Sequence, residues 1–131
     1  QAGGKAADLE FEERGDDLMI SVDLSRAYPA KMEMESYQRT VVVSRVMRQV
    51  RLIEVFSFAR ERQEVRFHFI TPEKPVMQPG MAILGHVLLE WERSLAASAE
   101  PLGENAWRIL LSMPRPVRNG NAIFTFRPLD N

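Results

Sequence analysis

Apolar and polar residues alternate most clearly in LEFEERGDDLMISVDL, residues 9–24. Leu9 and Phe11 alternate with Glu10 and Glu12, while Leu18, Ile20, Val22 and Leu24 alternate with Met19, Ser21 and Asp23. A period of two marks a half-buried strand, and Gly15-Asp16-Asp17 supplies turn residues between the runs. The pattern predicts a β-hairpin with one buried face. A second hairpin is expected over 50–70. Val50, Leu52, Phe56 and Phe58 share one face of its first strand, and Val65, Phe67 and Phe69 one face of its second. The polar stretch Arg60–Glu64 would turn the chain between them. A third is expected from AWRILLSMP (106–114) and NAIFTFRP (121–128), because Asn119-Gly120 is a strong turn pair.

Two segments carry a helical period instead. In 30–48, Val43, Val46, Met47 and Val50 recur at helical spacing, with Ser25 and Pro29 placed where a helix can start. The run Val41-Val42-Val43 argues for a strand in the same place, and helix is the reading adopted. In 81–99, Leu84, Leu88, Trp91 and Leu95 form one stripe, widened by Val87, with Glu90, Glu92, Arg93 and Ser94 off it. Pro72, Pro75 and Pro79 exclude regular structure just before, and Gly80 would let the chain turn into the helix. The order is then ββ-α-ββ-α-ββ. It predicts an α+β fold with an antiparallel sheet of about six strands and helices packed on one face.

With 131 residues, 45% of them apolar, the chain fits one domain, residues 1–131, with a real core. It begins QAGG rather than with Met, which suggests a fragment or a processed form. No apolar run reaches the roughly 18–20 residues of a membrane span. A soluble domain is expected, cytoplasmic or periplasmic, and a membrane anchor elsewhere in a longer parent remains compatible with it. The chain has no cysteine, which excludes disulfides, thiolate nucleophiles and cysteine metal sites. A net charge of −1 argues against strong nucleic-acid binding.

Charge is unevenly laid out. Residues 1–30 hold seven acids and three bases, whereas 39–66 hold seven arginines and three glutamates. Arginine outnumbers lysine fourteen to three, a bias that a GC-rich bacterial genome also produces. Solvated faces that pair within the fold account for such a layout. The sharper alternative is a surface built from Arg45, Arg48, Arg51 and Arg66, extended by Arg115, Arg118 and Arg127, that grips a partner or an anionic ligand.

The two histidines show no metal-ligand spacing. As a strand residue, His68 would point with Arg66, away from Phe67 and Phe69, and His86 would lie on the polar side of the 81–99 helix. Phosphate loops, nucleophile elbows and paired-carboxylate motifs are missing from the sequence. HFITPEKPVMQPGMAI (68–83), followed by RPVRNGNAIFTF (115–126), resembles hotdog-fold acyl-thioester dehydratases. In that family a His precedes a Phe-Pro-Gly turn, PVMPG opens the central helix, and an RPV strand entry follows. The resemblance implies an acyl-thioester site with His68 as the catalytic histidine. The sequence departs from the family at Gly85, which stands where the helix acid would fall, and in two extra loop residues.

With no catalytic constellation and Arg- and aromatic-rich strands, the leading expectation is a non-enzymatic interaction module. It would dock a partner protein or self-associate, without a cofactor or metal. The alternatives are the acyl-thioester enzyme and a sensory domain binding an anion at the arginines.

Overall fold

A computed structural model describes residues 9–27, 33–60 and 62–129. Eleven strands are formed among them, and the only helical piece is a single 3-10 turn, Ser25–Ala27. The strands are β1 (Leu9–Arg14), β2 (Asp17–Asp23), β3 (Met34–Ser44), β4 (Gln49–Phe58), β5 (Arg66–Thr71) and β6 (Val76–Gln78). They continue with β7 (Met81–Leu84), β8 (Val87–Glu90), β9 (Ala96–Pro101), β10 (Trp107–Ser112) and β11 (Asn119–Pro128). One sheet has eight strands in the order β1-β2-β3-β4-β11-β8-β7-β6, and a second has three, β5-β10-β9. Every pairing within the sheets is antiparallel. The expected α+β architecture is therefore wrong, and the fold is a two-layer β structure.

Both expected helices are strands. Within 30–48, residues 30–32 lie outside the described residues. From Met34 onward the chain pairs with β2 and β4. The β-branched run Val41–Val43 prefers this half-buried pleated setting. Val46 and Met47, which completed the helical spacing, sit exposed in the β3–β4 turn. The 81–99 segment folds as two four-residue strands around Gly85-His86, then a loop into β9. Gly85 has a φ of +66° at the first turn position, the placement a type II′ turn uses. Pro79-Gly80, with Gly80 at φ +74°, turns β6 into β7 as a type II turn does. Short strands joined by two-residue turns bring buried Ala82, Leu88, Leu89 and Trp91 close together in sequence. That clustering imitates a helical stripe.

Of the three expected hairpins, the first forms, with Gly15 at φ +58° in its turn. The other two do not. β4 pairs with β3 and β11, while β5 crosses to the small sheet and pairs with β10. β10 and β11 likewise lie in different sheets. Asn119-Gly120 is not a turn; it opens β11 opposite Ser57 and Phe56. A Cβ on Gly120 would stand 3.1 Å from the Phe56 ring, so glycine here admits close ring packing.

The core lies between the sheets. Phe67 and Phe69 of the small sheet pack on Phe124 of the large one with ring centroids 5.1 Å and 4.9 Å apart. Phe69 also meets Phe126, and Phe56 meets Phe67. Ile109 and Leu111 of β10 close the layer.

Candidate interaction face

Residues directly opposite in an antiparallel ladder point to the same side of the sheet. The registers therefore trace transverse rows on the inner face of the eight-stranded sheet. One row reads Phe11–Ile20–Val41–Leu52–Phe124, from the edge strand β1 to the core. Its neighbour reads Leu9–Val22–Arg39–Glu54–Ala122. The third reads Glu13–Leu18–Val43–Val50–Phe126–Leu89.

The three-stranded sheet packs on β4 and β11 through Phe56, Phe124 and Phe126, and Tyr37 of β3 joins the same core. At the β1 end of the rows Leu9 is 71% and Phe11 66% exposed, although both stand at core-facing positions. β2 is half-buried throughout. At β1, the expected buried face of the first hairpin is thus exposed among the described residues. An apolar cavity of about 390 Å³ lies along the third row. Val43, Val50, Val87, Phe126 and Pro128 line it together with Arg48, His86 and Arg127.

A polar cluster sits where the bare and covered parts meet. Glu54 is 1% exposed. It accepts a 2.6 Å hydrogen bond from Tyr37 Oη and bonds of 2.7–3.1 Å from Arg39 Nη2 and Nε. Opposite positions in the β3–β4 ladder bring Arg39 and Glu54 together. Charge-assisted, bidentate bonding is what allows a carboxylate to be buried. The hydrogen-bonded Glu54 carboxylate in turn holds the Arg39 guanidinium above its ordinary value. Both carboxylate oxygens are engaged within the fold, so the cluster works as a strut between strands. Sequence reasoning missed it because Tyr37 and Arg39 were assigned to a helix. On a strand, their spacing of two already places them on one side.

The arginines do not gather into one site. Arg45 and Arg48 belong to the β3–β4 turn, where Arg45 reaches Glu13 at 3.8 Å. Arg51 projects from the outer face of β4, opposite Thr125. Arg66 pairs with Glu64 at 3.3 Å, and Arg127 with Glu90 at 3.0 Å. Arg118 donates to the carbonyls of Phe58 and Ala59, tying β11 to the end of β4. Arg115 is exposed in the link between β10 and β11. Of the seven, two pairs come together: Arg48 and Arg127 beside the apolar cavity, and Arg66 and Arg115 in a cleft of about 240 Å³ between β5 and the end of β10.

His68 lies on β5 opposite Leu110 and lines the same cleft as Glu54, of about 250 Å³. The segment after it forms β6 and β7, so no helix N-terminus faces it and the oxyanion geometry of a hotdog site has no counterpart. Among the described residues no group of three or more His, Asp or Glu side chains is placed to hold a metal. No helix there is long and apolar enough to cross a membrane.

Comparison with known protein families and with curated proteins yields no match for this sequence.

Proposed function

We propose that this chain is a non-enzymatic interaction module that docks a partner protein on the bare part of its inner sheet face. One observation carries the reading: Leu9 and Phe11 occupy core-facing positions on the edge strand and are left exposed. Burying apolar area is worth about 25 cal/mol per Å², and association is the usual way an exposed patch recovers it. The row from Phe11 to Phe124 would supply a rigid, preorganised floor, since its far end is locked in the core. The partner replaces the small sheet as the cover over β1 and β2.

Site-specific photo-crosslinking in the source cell tests this. A crosslinker at position 9 or 11 is expected to yield a defined adduct. One at position 123, exposed on the outer face of β11, is expected to yield none. Adding Leu9→Glu to the position-11 crosslinker should remove the adduct. Equal adducts from positions 11 and 123, or none from 9 and 11, would overturn the reading.

A further inference from the structure

We infer that β1 accepts an extended strand from the partner, one whose residues alternate apolar and basic. The inference rests on the docking reading above and adds the chemistry of what docks.

β1 is the terminal strand of the large sheet, and β2 is its one neighbour among the described residues. Its far edge presents backbone N–H and C=O groups that an added strand can pair. The other edges are blunted. β6 has three residues between Pro75 and Pro79, β9 carries Pro101 at its last position, and β5 carries the exposed Arg66 and His68. β1 has six residues and contains no proline, and its ladder with β2 runs without a register shift.

Its two sides ask for different side chains. Toward the inner face, Leu9 and Phe11 need apolar neighbours. Toward the outer face the strip along this edge carries Glu10 and Glu12, with Asp17 and Asp23 behind them on β2. Arg14 is the one basic residue there, and it is ion-paired with Glu12. Opposite charges directly across a ladder attract, and like charges repel. An incoming strand with Lys or Arg at every second position would meet these glutamates, and the residues between would cover Leu9 and Phe11.

The same charges argue against a second copy of this chain. Antiparallel β1–β1 pairing that keeps both apolar faces on one side sets residues of equal parity opposite each other. The register centred on Phe11 places Glu10 against Glu12 of the other copy twice, and the one centred on Glu10 places Glu10 against Glu10. Registers centred on Glu12 or Glu13 set Arg14 against Glu10 or Glu12, but they leave Leu9 without an apolar residue opposite it and put Phe11 opposite Glu13 or Gly15. The acidic edge thus rejects itself while admitting a basic strand.

The test titrates the protein with a capped octapeptide in which valine and lysine alternate. One control alternates valine and glutamate; another has four valines followed by four lysines. Binding of the first peptide is expected, with amide-exchange protection at Glu10–Glu13 and affinity falling as salt rises. Both controls should bind roughly tenfold more weakly or not at all, and Glu10→Lys with Glu12→Lys should reverse the preference between lysine and glutamate peptides. Equal binding of the block peptide, binding without protection of β1, or no binding of the alternating lysine peptide would overturn strand addition. Crosslinks from positions 9 and 11 that persist in that event would leave the docking reading standing. Loss of those crosslinks would remove both.

Discussion

Phe11 and Phe124 stand at the two ends of one transverse row, yet Phe124 is fully buried and Phe11 is 66% exposed. The difference is coverage: Phe67 and Phe69 lie on Phe124, whereas every residue of β1 is exposed. Phe124→Ala should therefore cost about 3–5 kcal/mol of stability, while Phe11→Ala should stay within about 0.5 kcal/mol. Urea denaturation of the two variants measures this. Comparable losses would mean that β1 is covered in solution.

Arg39 and Glu54 make a different prediction. Arg39→Met removes the counter-charge of a buried carboxylate and should cost about 2–4 kcal/mol, the lower values reflecting the partial exposure of Arg39. Arg39→Met combined with Glu54→Leu should recover much of that loss, because the stranded charge is gone. A double variant less stable than the single one would show that the pair contributes net stabilisation.

Gly15 and Gly80 both have positive φ, but their surroundings differ. A Cβ on Gly15 meets nothing within 4 Å, whereas one on Gly80 would approach Arg93 Cγ at 2.9 Å and the Trp91 carbonyl oxygen at 3.4 Å. Alanine at either position carries the left-handed backbone cost, about 1–2 kcal/mol. Gly80→Ala should cost more, because the neighbouring Arg93 must also move. Thermal melts of the two variants should rank them in that order.

Far-UV circular dichroism should give a β spectrum without the helical double minimum. Leu88→Ala should still destabilise by about 2–5 kcal/mol, since Leu88 is buried in β8 rather than on a helix. An unchanged melt for that variant would place β8 outside the packed layer.

The sequence by itself determined which residues are apolar and at what local period. That was enough for β1, β2 and their glycine turn, and for the strand character of β4, β5, β10 and β11. It also picked out Leu88, Trp91 and Leu95 as core, because burial follows side-chain chemistry whatever the backbone does. It misjudged β3, β7, β8 and the start of β9, where turns of two or four residues between strands mimic a spacing of three or four, and it missed β6, a three-residue strand that fits between Pro75 and Pro79. Apart from the β1–β2 hairpin, strand partners were decided by the tertiary structure. β4 leaves β5 for β11, and Asn119-Gly120 becomes a strand opening against Phe56, because pairing across the sheet outweighs a local turn preference. Coverage was decided there too. Alternation places Leu9 and Phe11 on the apolar side of a strand, but only the extent of the second sheet determines whether that side meets protein or water.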